Sequence, residues 1–533
     1  MELRWKYLLA ILIVGGFLFV FNLGGRDLWE PDETRYAVIA REMKDGGNWI
    51  IPHLNRQIYA EKPPLFFWLV NLSVFFFGEN SELANRLPSA VAGYIVILIT
   101  FLFGERLFNL RTGFLSSLIL ATSFLFPQLS RWMMLDALFT LFFLLILFSF
   151  YLGYERGERR RKYYLLAGLF TGLAILTKGP VAYLTLPIFF IFTVFQKNVK
   201  KFWCRDLLLG FLLSVTVVLV WWIPACFVGG RDYIHWILYK QAIGTYVEGG
   251  KHFHPEAFLF YFIRFPVEFL PWTVFLPTAF ILGFRKGREK RERFLFLSIW
   301  FSFVFLFFTF SKGKKDNYLL PLYPAAAMIV GWLWDSGLRS KEGEQGFISG
   351  IAILASLSVI PFVLSLFGVS QKLYPDLVSY RFLIFSVLSC LVVGCLLSLL
   401  FFVKQRPRVA FVSLVITFSL FHLQIAHSLP SRLNAQRSMK AFSEMILKRM
   451  EPGDEIKTYW FKSNGLLYYT RKSYIEEIDG VDRCKEVLRS SRRVFIVILA
   501  EMFDRLKRDA GIEMDPIERI QVGHWTYVLI SNR

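Results

Sequence analysis

Leu207-Leu208-Leu209-Gly210-Phe211-Leu212-Leu213-Ser214-Val215-Thr216-Val217-Val218-Leu219-Val220-Trp221-Trp222 contains no charged side chain. With its flanks, this stretch approaches the roughly 20 residues that cross a bilayer. Phe19–Phe21, Phe139–Phe150, Phe189–Phe195 and Leu295–Phe308 share its character. The chain is 55% hydrophobic, only 19% charged, and holds 58 phenylalanines. That balance excludes a disordered chain, a collagen-like repeat and a small disulfide-rich domain. The reading is an α-helical polytopic membrane protein. About 13 candidate spans fall near 7–23, 87–104, 113–128, 134–152, 164–177, 180–195, 207–227, 266–284, 294–310, 318–334, 347–368, 381–403 and 408–427. The first follows Arg4 and Lys6 without a small-residue cleavage site, so it reads as an uncleaved anchor.

Lysine and arginine in the connecting loops give the orientation. With the N-terminus inside, Arg156–Lys162, Lys197–Arg205, Arg285–Arg293 and Lys404–Arg408 are inner loops. The inner segments then hold about 24 basic residues and the short outer loops about six. The expected organisation is a membrane domain over 1–427, with outward loops 24–86 and 228–265, and a small soluble α/β domain over 428–533. In that last segment Ser438–Met450 and Val481–Arg489 read as helices, Val494–Leu499 and Trp525–Ile530 as strands. The net charge of +20 does not indicate nucleic acid, because the basic residues sit in separate loops and form no stripe. The five cysteines show no CxxC spacing, so neither a zinc cluster nor a disulfide framework is expected.

The first outward loop reads Leu28-Trp29-Glu30-Pro31-Asp32-Glu33-Thr34-Arg35-Tyr36. Tyr36, Ile39, Ala40 and Met43 recur at helical spacing, so a helix starts at Asp32. Asp32 has two readings: an N-cap, or, with Glu33, a carboxylate presented at the membrane surface. Further on, Tyr59-Ala60-Glu61-Lys62-Pro63-Pro64-Leu65 precedes Leu65–Phe77, an apolar run suited to a helix lying in the interface. Lys62 either snorkels or is held beside the diproline to meet a phosphate.

Ionisable residues at the outer ends of spans form the remaining candidate set. Asp136 falls within a span, where a carboxylate needs a partner, and Arg131 is the nearest in sequence. Lys178 caps a helix end or faces the site. Arg264 and Lys312, with Lys314 and Lys315, complete a basic outer face suited to an anionic lipid-linked ligand. His252 and His254 with Glu61 make a metal-ligand set, although paired loop histidines more often bind none.

These motifs, with Asn85-Arg86-Leu87-Pro88-Ser89, Arg131–Asp136, Thr177-Lys178-Gly179-Pro180 and Phe310–Pro321, resemble the aminoarabinose transferases that modify lipid A. Those enzymes are polyprenyl-phosphate-dependent membrane glycosyltransferases of the GT-C fold, related to the protein O-mannosyltransferases. The resemblance covers roughly residues 20–330. It implies Asp32, Glu33 and Asp136 as catalytic carboxylates. It implies Lys62 as a contact to the polyprenyl phosphate, with Arg264, Tyr318, Arg131, Lys178 and Lys312 around it. It also implies a divalent metal, zinc or magnesium, near Glu61 and His254, with no other cofactor expected. The implied partners are a polyprenyl-phosphate-linked sugar, lipid A or another envelope acceptor, and membrane lipids. The implied location is the inner membrane, with site and C-terminal domain periplasmic.

The chemistry fits independently. A sugar on a polyprenyl phosphate carries its own leaving group, so the protein must hold the phosphate and neutralise its growing charge. No P-loop and no GxGxxG after a strand appears, in keeping with a lipid-linked donor. Related readings are transfer to protein hydroxyls or to another glycan. Unrelated ones are a secondary transporter, which would place charges near the midplane of two repeats, and a non-catalytic scaffold. Orientation is checked by labelling. With the five native cysteines replaced, a cysteine at Asp32 or Lys62 is expected to react with an impermeant maleimide from outside. One at Arg288 is expected to react only after the membrane is opened, and the reverse pattern overturns the map.

Overall fold

The computed structural model describes residues 2–79, 81–155, 160–237, 256–285, 288–336, 341–366, 381–510, 515–523 and 525–533. These divide into two compact units. One comprises Met1–Leu23, Glu61–Phe66 and Leu87–His427; the other comprises Gly24–Ala60, Phe67–Arg86 and Ser428–Arg533.

The first unit is helical. Glu2–Val20, Glu82–Leu107, Asp136–Glu155, Arg205–Arg231, Arg291–Phe310, Gly343–Leu366, Arg381–Val403 and Pro407–Ser428 are long and apolar enough to cross a membrane. Phe260–Glu268 and Trp272–Phe284, bent by 105°, make a ninth candidate if taken as one broken span. Side chains on the outer surfaces of these helices, such as Val220, Phe227, Phe310, Phe382 and Val393, are apolar and exposed, as lipid contact requires. The expected spans near 113–128, 180–195 and 318–334 fall on the shorter helices Leu110–Ala121, Thr185–Phe195 and Tyr323–Ser336. The one near 164–177 falls on Arg160–Lys178, whose first turn is basic.

Packing in this unit depends on small residues and rings. Arg160–Lys178 lies against Arg205–Arg231 where Gly168 meets Gly210, and a Cβ on Gly168 would stand 1.9 Å from the Gly210 carbonyl oxygen. Only glycine permits that approach, which brings the two helix backbones into contact. Trp300 and Trp272 are fully buried with satisfied indoles. The first donates to the Pro321 carbonyl at 3.0 Å and the second to the Thr122 hydroxyl at 3.1 Å.

The second unit is an α/β layer structure. A hairpin of β1 (His53–Leu54) and β2 (Gln57–Ile58) turns through Asn55 and Arg56, both at positive φ, as a tight two-residue hairpin demands. The main sheet contains β3 (Glu455–Tyr459), β4 (Glu476–Ile478), β5 (Val494–Leu499), β6 (Glu518–Val522) and β7 (Trp525–Ser531) in the order β4-β3-β5-β7-β6. β3 is parallel to β4 and β5, whereas β7 is antiparallel to β5 and β6. Alternation along β5 divides the core in two. Phe495 and Val497 pack with Phe442, Ile446 and Leu466 on one face. Val494, Ile496 and Ile498 pack with Cys484, Val487 and Phe503 on the other.

Val38 of the helix Asp32–Asp45 is fully buried within the first of these clusters. The first loop is therefore part of the core beneath the C-terminal sheet. Val38→Asp is expected to expose that core, so residues 428–533 should be cleaved much faster in limited proteolysis while the membrane helices stay protected.

Candidate active site

The quoted loop motif is held by the second unit residue by residue. The Leu28 N–H donates to the Tyr469 hydroxyl at 2.7 Å. Trp29 Nε1 donates to Asn434 Oδ1 at 3.0 Å, and the Arg26 guanidinium lies 4.2 Å from the Trp29 ring. Glu30 accepts from the Gly465 N–H at 2.6 Å and the Ser463 hydroxyl at 2.9 Å. Burial pushes the Glu30 carboxyl up, and these two donors offset part of that. Arg41 donates to the carbonyls of Leu467, Tyr468 and Lys472, satisfying oxygens at and after the C-terminus of the helix Asn464–Tyr469.

Asp32 and Glu33 are neighbours with opposite surroundings. Pro31 occupies the cap position of the helix and makes no side-chain cap bond, so Asp32 is the first helical residue and the N-cap reading is set aside. Its carboxylate remains partly exposed and pairs with Arg35 one turn on. Glu33 is 2% exposed. It accepts Arg26 Nη1 at 2.5 Å, Arg26 Nη2 at 2.9 Å, Arg86 Nε at 2.8 Å, Arg86 Nη2 at 3.1 Å and the Trp29 N–H at 3.0 Å. Arg86, fully buried, also reaches the Arg26 and Asp27 carbonyls at 2.7 and 2.6 Å. Burial alone would raise the Glu33 carboxyl, but the two guanidiniums outweigh it and hold it far below the ordinary range. Glu33 thus stays ionised and is poorly suited to taking up a proton.

The first unit holds the other candidates. Asp136 opens the helix Asp136–Glu155 and is ion-paired with Lys178. Sequence proximity had suggested Arg131, whose guanidinium instead donates to the Leu18 and Phe21 carbonyls at 2.9 and 2.6 Å. Lys178 ends its helix, and Gly179 at φ 90° turns the chain there. The Lys178 ammonium stands 5.0 Å from the Tyr318 ring and 5.5 Å from that of Phe139. Asp136, Lys178 and Tyr318 are therefore one cluster. Arg264 approaches Asp316 at 3.8 Å. Lys62 and Glu61 are partly buried and Lys312 is exposed. His254 lies outside the described residues, and among those described no group of three His, Cys, Asp or Glu side chains is placed to hold a metal.

Comparison with known proteins follows this geometry. A family model described as dolichyl-phosphate-mannose-protein mannosyltransferase matches residues 61–223. The undecaprenyl phosphate-alpha-4-amino-4-deoxy-L-arabinose arabinosyl transferase of Edwardsiella ictaluri is 32% identical over 374 residues, covering 68% of this chain and 66% of that one. An uncharacterized protein of Aquifex aeolicus is 30% identical over 374 residues, 69% of this chain and 72% of its own. The chain is thus similar to named arabinosyl transferases and, over residues 61–223, to the mannosyltransferase family model. It spans less than two thirds of the length of the named transferases, 66% of the Edwardsiella protein and 60% of the one from Pectobacterium carotovorum. The fold agrees over nearly the whole chain with the crystal structure of ArnT from Cupriavidus metallidurans bound to undecaprenyl phosphate. The TM-score is 0.82 at 19% identity, covering 99% of this chain and 98% of that one.

Arg26, Arg86, Glu268 and Asp316 carried no assigned role in the sequence reading. A signal existed for two of them: Arg86 begins an apolar run, and Glu268 is a lone carboxylate in an apolar stretch. Glu33→Gln leaves Arg26 and Arg86 uncompensated, and breaking such a buried pair costs about 3–5 kcal/mol. The expected result is a lower thermal unfolding midpoint of the purified chain. Because the folded carboxyl lies below its ordinary value of 4.5, this contribution is complete above that pH. It fades as the pH falls further, so the wild-type advantage over the variant should shrink in acid.

Proposed function

We propose that the chain transfers aminoarabinose, or a sugar close to it, from a polyprenyl phosphate carrier to lipid A or a related envelope acceptor. The reaction is placed at the periplasmic face of the inner membrane, with the loop 24–86 and the segment 428–533 on that side. The observation that carries this reading is the 32% identity over 374 residues with a relative whose name specifies that donor.

The bond between the sugar's anomeric carbon and the carrier phosphate breaks, and its electron pair passes to the phosphate oxygen. A bond from the acceptor oxygen to the same carbon replaces it. The leaving phosphate gains negative charge, which Lys62 and Arg264 offset. We assign Tyr318, the paired Lys178, Arg131 and Lys312 to the same phosphate-binding role. Asp136 keeps Lys178 in place. An ionised phosphate acceptor needs no base. A hydroxyl acceptor does, and the partly exposed Asp32 suits that work better than the saturated Glu33.

The match of residues 61–223 to a protein mannosyltransferase model supports a second reading, with protein hydroxyls as acceptor. Mass spectrometry of envelope lipids separates the two. Cells with the wild-type chain are expected to carry a sugar-sized mass on lipid A that cells without it lack. Lys62→Ala, inserted at normal levels, is expected to reduce it by on the order of 10²–10³. Unchanged lipid A with altered glycoproteins supports the second reading, and no change in either overturns both.

A further inference from the structure

Glu268 ends the helix Phe260–Glu268 at the 105° bend and is 4% exposed. Its Oε2 accepts the Tyr323 hydroxyl at 3.4 Å. Its Oε1 has no donor among the described residues, and neither has Oδ1 of Asp316. The two carboxyl groups lie within hydrogen-bonding reach of each other. Arg264 Nε stands 3.8 Å from Asp316, beyond hydrogen-bond length. Lys314 in the same loop is turned to the carbonyls of Ser311 and Glu256. Two carboxyl groups therefore face one loosely engaged cation among the described residues, and their facing oxygens lack a donor. A buried carboxylate oxygen without a donor is unfavourable unless a proton or a cation completes it.

We propose that Glu268 and Asp316 bind the ammonium group of the sugar carried by the polyprenyl donor. This rests on the transferase reading above and adds the residues that select an amino sugar. An ammonium has three N–H donors and no acceptor, the complement of two orphan carboxylate oxygens. A divalent metal fits less well, because no third His, Cys, Asp or Glu joins the pair among the described residues. The two donor-free oxygens are themselves buried, and the pair borders solvent through the rest of the Asp316 and Arg264 side chains, 38% and 56% exposed. Arg264 and Asp316 then present adjacent opposite charges, matching a donor with a phosphate at one end and an amine on its ring. The fully buried Tyr323 ring, set edge-on to Phe265 and Phe269, lies beside Glu268 through its hydroxyl.

The test uses the purified full-length chain in proteoliposomes, supplied with undecaprenyl phosphate-aminoarabinose or its N-acetylated, uncharged form. The readout is the ratio of kcat/KM for the amino donor to that for the acetylated donor. Wild type is expected to favour the amino donor. Glu268→Gln and Asp316→Asn are each expected to lower the ratio at least about tenfold, chiefly through KM, and Glu268→Asp to restore part of it. Size-exclusion profile and thermal midpoint establish that each variant is folded. Equal losses for both donors would assign the pair a purely structural role, such as sharing a proton, and overturn the proposal. An active wild type with an unchanged ratio in the variants would overturn it too. A folded wild type that transfers neither donor overturns the transferase reading itself.

Discussion

A charge removed from water must be met by another charge or by several dipoles, and that requirement shapes both units of this chain. Glu33 is met by two arginines and a backbone N–H. Asp136 is met by Lys178, and Glu30 by a backbone N–H and a hydroxyl. The Glu33 network locks residues 26–33 to Arg86, and the Asp136–Lys178 pair ties two helices together at their ends.

Neighbouring carboxylates consequently differ in what they can do. Glu33 is saturated with donors and stays ionised, while Asp32, one residue earlier, keeps a partly exposed oxygen face. The same contrast separates Asp136, closed by its lysine, from Glu268, which retains an oxygen without a donor among the described residues. The proposed chemistry falls to the incompletely satisfied groups. The saturated ones supply the rigidity that holds them in position.

The parts of the fold written in strong periodicity were legible in the sequence. Leu65–Phe77 forms the expected helix, and Val494–Leu499 the expected strand. Apolar runs of that kind have one way to hide from water. β3, β4 and β6 were missed because their sequences are polar. Lys457 pairs with Glu476 across β3 and β4 and with Glu455 on its own strand, and these charges leave few apolar residues to mark the strands. The stretch expected near 164–177 is helical, within Arg160–Lys178, and an apolar stretch of this kind reads alike whether lipid or protein surrounds it. The loop motif was recognisable, but not that Val38 and Trp29 serve the core and the hydrogen bonding of the C-terminal fold. No local pattern encodes contacts between residues some 400 positions apart.

That separation bears on how the molecule is made. Leu28 meets Tyr469, 441 positions later, and Val38 shares a core with Phe442 and Phe495. At a synthesis rate of ~5–20 residues per second, the first loop leaves the ribosome on the order of 20–90 s before its last partners exist. During that interval Trp29 and Val38 have no core to enter. The amino-terminal loop thus waits as an unfinished half-domain until the strands and helices that complete it have been made.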